Sequence, residues 1–315
     1  MDLIKIYNRD RYPDMQFKEM LRTVLGHGRW NKAQAGEDLE TKSYFGYTMR
    51  FKVADGAPVV TEKTVAPDWK KTPQPWKQCI GEIFAFINGA RTTKELESFG
   101  CNFWKYWVTE DKCKKRLLES GDLGFGSYGH AFHDFPMTEG AASSTGQVTE
   151  GVNQFQNVLE QMRELPHLKT HEISPWVPPY VYRGKGKTQR VVVCPCHGWL
   201  HFDIDSENRL TLHHRQRSGD ILVGVPLNMI QYFSLLLAVA HVLGLTPYEY
   251  VHHIVDAHIY SNQVEEAHEL LERPTFPKPM ILLDNPPDDL FDFRAEHFKL
   301  EEYVAGEYMK IPFAV

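Results

Sequence analysis

Val193-Cys194-Pro195-Cys196-His197 sets two thiols and an imidazole within five residues, and a thiolate there could add to an electron-poor carbon. The segment ends one predicted strand, Arg190 to Cys194, and precedes another, Trp199 to Ile204, so its side chains are expected on a rigid edge. Cysteine attacks only as thiolate and needs a nearby cation to lower its pKa, which Gln216-Arg217-Ser218-Gly219-Asp220 could bring on a neighbouring strand. The competing reading is a buried cysteine pair in a turn, the commoner fate of an arbitrary Cys-Pro-Cys-His. A metal is not expected, because two cysteines one residue apart with an adjacent histidine do not match zinc spacing and no second cysteine pair follows.

Two further groups stand out. In Asp256-Ala257-His258-Ile259-Tyr260, polar residues alternate with small or apolar ones, so an extended chain would put Asp256, His258 and Tyr260 on one face, able to grip hydroxyls; a solvated strand face has the same pattern. Glu82 interrupts the apolar run Ile80 to Ile87. Buried, it would need partners or a raised pKa; its other reading is simple exposure to solvent.

The elements that must position these groups are legible in part. Ile80, Ile83, Phe84 and Ile87 recur at helical spacing from Trp76 to Ile87, with Gly89 as the stop, and Thr92-Thr93-Lys94-Glu95 is a capping box for a short helix ending at Gly100. Val148, Val152, Phe155, Val158, Leu159 and Met162 form one stripe of a helix between Gly146 and Leu165, closed by Pro166. Arg190 to Cys194, Trp199 to Ile204 and Leu210 to His214 read as strands. Asn228 is placed as an N-cap after Pro226, opening a helix that Gly244 ends. Tyr248 to His253 and Gln263 to Glu272 look helical, and Arg273 to Pro287, with five prolines, extended.

At 315 residues and 42% hydrophobic composition the chain can bury a sizeable core, and no linker, repeat or low-complexity stretch divides it, so one α/β (α+β) domain over residues 1–315 is expected. Met137 to Gly146, small and polar, is the nearest thing to an insertion. A net charge of -6 argues against a general nucleic-acid surface and for a small substrate. Five cysteines fit free thiols in a reducing compartment, the start Met1-Asp2-Leu3-Ile4-Lys5 carries no secretory pattern, and the apolar run Phe233 to Ala240 is too short to span a bilayer, so a cytoplasmic location is expected.

Taken together and in order, these motifs resemble the thymidylate synthase family from about Tyr44 to the last residue. Tyr44-Phe45-Gly46-Tyr47-Thr48-Met49-Arg50-Phe51 resembles its early strand, Gly81-Glu82-Ile83-Phe84-Ala85-Phe86-Ile87-Asn88-Gly89 its glutamate helix, and Asn102-Phe103-Trp104-Lys105-Tyr106-Trp107 its tryptophan pair. Gly121-Asp122-Leu123-Gly124 through Tyr128-Gly129, Pro195-Cys196-His197, Gln216-Arg217-Ser218 with Asp220, Gly224-Val225-Pro226-Leu227-Asn228 and Asp256-Ala257-His258-Ile259-Tyr260-Ser261-Asn262 follow at family spacing, and Ile311-Pro312-Phe313-Ala314-Val315 resembles the C-terminal lid. Residues 1–40 form a divergent N-terminal segment.

The resemblance implies a large twisted mixed sheet flanked by helices, paired sheet to sheet in a homodimer, and transfer of a one-carbon unit from 5,10-methylenetetrahydrofolate to C5 of a uracil nucleotide, dUMP above all. Cys196 would add to C6 of the base, Arg217 would bind the phosphate and hold the thiolate with Ser218 adding a hydrogen bond, Asn228 would read the O4 and N3–H edge, and His258 and Tyr260 would hold the sugar 3'-hydroxyl. Glu82 and His197 would organise water and protons at O4, and Tyr128 would assist loss of the C5 proton. Trp104, Trp107, Asp220, Gly224, Leu227 and Val315 would bind or cover the folate.

Departures accompany the resemblance. The family's phosphate-binding arginine has no counterpart in Ala35 to Lys42, leaving Arg29, Lys32 or Lys42 as substitutes. Pro166-His167-Leu168-Lys169-Thr170-His171 stands where two arginines normally reach the partner's phosphate, so Lys169 alone would serve. Gly219, His201 and His130-Ala131-Phe132 replace a Cys, a Gln and a Gln-Trp-Arg. Reductive methylation to dTMP is expected, with 5-hydroxymethylation of dUMP or another pyrimidine nucleotide as the alternative and a non-catalytic nucleotide- or RNA-binding relative as a third reading.

Overall fold

Alternate burial along Trp199–Ile204 and Arg209–Asp220 turns Leu200, Phe202, Ile204, Leu210, Leu212, His214 and Gln216 to one face of a sheet, the side on which the core lies. The structure, a computed structural model, describes residues 3–34, 38–67, 73–136 and 151–313. In chain order α1 (Gln16–His27), β1 (Arg29–Lys32) and β2 (Glu40–Lys52) precede α2 (Pro75–Ile87), α3 (Thr93–Ser98), α4 (Glu110–Lys114), α5 (Tyr128–His133) and α6 (Gln154–Glu164). Then come β3 (Glu172–Ile173), α7 (Pro178–Val181), β4 (Trp199–Ile204), β5 (Arg209–Asp220), α8 (Gly224–Leu243), β6 (Thr246–Tyr260), α9 (Val264–Glu272), β7 (Met280–Leu283) and β8 (Phe298–Glu301).

The large sheet runs β1-β2-β6-β5-β4-β3, with β5 and β6 parallel and the other pairs antiparallel, while β7 and β8 form a separate hairpin. Apolar nearly all round, α8 packs on β5 and β6 and carries α2 on its outer side. Its length and hydropathy would suit a membrane span, but it is 83% buried inside the protein, so its apolar surface is already covered. The register sets Ser218 beside Asp256 and Asp220 beside His258 at the carboxyl ends of the two parallel strands, the end of an α/β sheet where ligands bind.

Several expectations hold. Helix α2 ends at Asn88 and Gly89, the Thr92–Glu95 capping box opens α3, and Gly244 closes α8 with a left-handed φ of 67°. Four need correction. Residues 248–253 are strand, not helix, because β6 is paired on both edges and its aromatic and β-branched residues suit a central strand. Arg190 to Cys194 is irregular: Arg190 and Val192 donate to Tyr180 and Leu123 rather than to one partner strand, and Pro195 has no N–H to give. Asn228 lies inside α8, which starts at Gly224; Pro226 is tolerated in the first turn, where N–H groups lack helical partners, and Asp220 Oδ1 accepts from Leu222 and Val223 N–H. Helix α6 begins after Asn153, which caps it, and Val152 pairs with Phe135 instead. Val148 and the whole Met137 to Gly146 insertion lie outside the described residues.

Candidate active site

Cys196 ends an irregular segment just before β4, and its backbone is tied on both sides: its N–H donates to Tyr128 Oη at 2.6 Å and its carbonyl accepts the Arg217 N–H at 2.6 Å. The Arg217 guanidinium donates to the Pro195 carbonyl at 3.0 Å and brings Nη2 to 3.3 Å from Cys196 Sγ. The cation that the cysteine needs is therefore present. Burial still pushes the Cys196 thiol up, with Arg217 pulling the other way and Asp256 adding to the rise.

Glu82 on α2 is buried at 7% exposure, not solvated. Trp104 Nε1 donates to one oxygen at 2.6 Å and Gln231 Nε2 to the other at 2.7 Å, yet burial outweighs both and lifts the carboxyl to about 7. An amide chain continues from there. Asn228 Nδ2 donates to Gln231 Oε1 at 3.0 Å, Gln216 Nε2 donates to Asn228 Oδ1 at 3.0 Å, and Gln216 Oε1 meets His252 Nε2 at 2.8 Å. One acceptor lone pair and one N–H of Asn228 remain, a pattern complementary to the N3–H and O4 of uracil.

His197 stacks on Tyr128 at 4.4 Å, and its Nδ1 meets Tyr232 Oη at 2.6 Å. Burial drives its pKa to about 3, so it is neutral across ordinary pH. Burial likewise raises Tyr128 far above its usual range, keeping it a phenol. At the far end of β5, Asp220 Oδ2 accepts from Gln263 at 2.8 Å, and burial raises its carboxyl. His258, beside it, is disfavoured as imidazolium by burial, but the hydrogen bond and charge of Asp256 outweigh that and raise its pKa. The Tyr260 ring lies 5.3 Å from that of His258.

An aromatic lip borders this cluster. Trp107 lies 5.6 Å and Tyr106 6.3 Å from the Phe313 ring, and Gln263, which also holds Asp220, donates to the Pro312 carbonyl at 2.7 Å. The tail is thereby bonded to the same glutamine as a site carboxylate. Gly224 and Leu227 open α8 beside Asn228, and Ser218 N–H reaches the Cys196 carbonyl at 3.3 Å. Val315, expected to complete the lid, lies outside the described residues. Lys169 is exposed and paired with Asp203, apart from the cluster within this chain. Of the substitute cations, Lys42 donates to the Leu25 carbonyl and lies over Trp30, while Arg29 and Lys32 are on exposed β1.

Gln216, Gln231 and Lys63 were given no role from the sequence. Gln231 carries the same signal as Glu82, a polar residue inside an apolar helix, and could have been found that way. Lys63 has none: burial lowers its pKa to about 8 against the pull of Asp220, and its Nζ donates to the Leu222 carbonyl at 2.8 Å. All five cysteines are free, and among the described residues no three His, Cys, Asp or Glu side chains converge as a metal site. The family model described as thymidylate synthase matches residues 15–315 of this chain.

Proposed function

Because the chain belongs to the thymidylate synthase family, we propose that it methylates dUMP at C5 with the one-carbon unit of 5,10-methylenetetrahydrofolate, through addition of Cys196 to C6. The observation that carries this reading is one cluster in which Arg217 lies 3.3 Å from the Cys196 sulfur while Asn228 is tied through Gln231 to a buried Glu82 of pKa about 7. Addition of the thiolate to C6 moves the C5–C6 π electrons toward C5 and O4. Arg217 favours the thiolate, Asn228 holds the O4 and N3–H edge, and Glu82 supplies a proton toward O4. Tyr128, whose hydroxyl accepts the Cys196 N–H, assists removal of the C5 proton in this reading.

The folate supplies the carbon and, for methylation, the hydride that completes it. A flat heteroaromatic ring suits the wall of Trp107 and Phe313, with Asp220 as a polar anchor, Gly224 and Leu227 at its edge, and Trp104 held behind by its bond to Glu82. Hydroxymethylation differs only in that water completes the new carbon. The altered phosphate residues favour that second reading, and a tail bonded through Gln263, positioned to exclude water if it closes on the folate, favours methylation. Incubation with dUMP and methylenetetrahydrofolate, with mass spectrometry of the nucleotide and absorbance of dihydrofolate, is expected to give a methyl product with dihydrofolate. A hydroxymethyl product with tetrahydrofolate would move the assignment to the alternative, and no product would remove dUMP as substrate.

The uncovered face of the sheet supports a homodimer. Trp199, His201, His213 and Arg215 share it by register, with Arg215 over the Trp199 ring. A twofold partner would cover this face and bring Lys169 toward the neighbouring site. Sedimentation is expected to give twice the chain mass; a monomer at micromolar concentration would remove both proposals.

A further inference from the structure

Beneath the Cys196 turn lies a buried polar pair that the mechanism above does not use. His214, on the core face of β5, has no exposed surface. Its Nε2 accepts the Gly198 N–H at 3.2 Å and its Nδ1 meets Tyr250 Oη at 2.9 Å. Accepting at Nε2 fixes the tautomer: the proton is on Nδ1, which donates to Tyr250. Burial, then the neighbouring histidines, hold the ring neutral, so the acceptor persists across ordinary pH. The ring is stacked between Tyr232 at 3.8 Å and His252 at 4.6 Å. Tyr232 is the residue whose hydroxyl meets His197.

We propose that His214 is a positioning residue for Cys196, holding the Cys196-His197-Gly198 turn at two points: directly through the Gly198 N–H, and indirectly through the Tyr232 ring on which His197 hangs. The turn needs both. Gly198 adopts a φ of 94°, open to glycine but strained for other residues, and a Cβ there would meet Phe132 at 2.9 Å and Tyr232 Oη at 3.0 Å. A backbone held in that conformation with its N–H unpaired in the core would relax and carry the thiol away from Arg217. Tyr250, in turn, orients the imidazole. An aliphatic residue at position 214 could fill the space but could accept no hydrogen bond.

The kinetic part of the test rests on the proposed methylation of dUMP; the alkylation part does not. His214→Leu, His214→Gln and Tyr250→Phe are compared with the wild type in two readouts. The first is the rate of Cys196 alkylation by iodoacetamide between pH 6 and 9, resolved by peptide mass spectrometry; the second is kcat and KM with dUMP and methylenetetrahydrofolate. His214→Leu is expected to change the Cys196 alkylation profile and to lower kcat about tenfold, with KM for dUMP altered less than about threefold. His214→Gln, whose Oε1 can accept the same N–H, is expected to restore most of both, and Tyr250→Phe to fall between. An alkylation profile unchanged in His214→Leu, or a folded Gln variant no better than Leu, would overturn the positioning role. If His214→Leu does not fold, wild-type behaviour of Tyr250→Phe overturns it instead. A wild type that turns over no dUMP would contradict the proposed reaction and leave the alkylation test standing.

Discussion

Cys196→Ala is expected to abolish turnover, by at least roughly 10⁴-fold in kcat, while dUMP still binds within a few-fold of the wild-type Kd. The asymmetry follows from the site. Arg217 keeps its hydrogen bond to the Pro195 carbonyl, Asn228 remains fixed by Gln216 and Gln231, and neither needs the sulfur. Only the bond to C6 is lost, and no other free thiol can replace it: Cys79, Cys101 and Cys113 are buried, and Cys194 Sγ is engaged by Gln189 Nε2 at 2.9 Å. Stopped-flow kinetics paired with equilibrium binding reads both quantities. Turnover within tenfold of wild type would rule out the covalent route.

Glu82→Gln should show the second largest effect, a loss of about 10² to 10⁴ in kcat, because an amide cannot pass a proton toward O4. With the carboxyl at about 7, Glu82 is protonated below that pH, so kcat/KM in the wild type should decline as pH rises through about 7. That alkaline limb should be absent from the variant. Wild-type stability should fall over the same rise in pH. The folded carboxyl sits above its ordinary value, so its favourable contribution is complete below the unfolded pKa near 4.5 and is lost as pH climbs to about 7. A permanently neutral Gln escapes that loss, and thermal melts should show the variant gaining on the wild type between pH 5 and pH 8. An unchanged alkaline limb in Glu82→Gln would mean that another group titrates there.

The difference between what the sequence announces and what only the fold supplies is visible in particular residues. Helix α2, the α3 capping box and the Gly244 stop are local: a 3.6-residue period, a side chain reaching three residues along, a glycine free to take positive φ. Residues 248–253 carry β-favouring Tyr248, Tyr250 and Val251 but no period-2 alternation, because β6 is buried centrally with partners on both edges, so their pattern does not mark a strand. Motif order brought Cys196, Arg217, Asn228 and Glu82 to notice, but not the chain of amides joining Asn228 to Glu82. That chain depends on α2 lying against α8, which no local pattern states. Burial is also non-local. A cation beside Cys196 was foreseeable; that desolvation would outweigh it was not, since it depends on everything packed around the sulfur.

The most direct test of the central claim is mass spectrometry of the protein after incubation with 5-fluoro-dUMP and methylenetetrahydrofolate. Fluorine at C5 cannot leave as the proton does, so an adduct formed through C6 should accumulate. The account predicts a protein heavier by one nucleotide and one folate, with the added mass on the peptide containing Cys196 and absent from Cys196→Ala. An unmodified protein, or the added mass on any other residue, would contradict it.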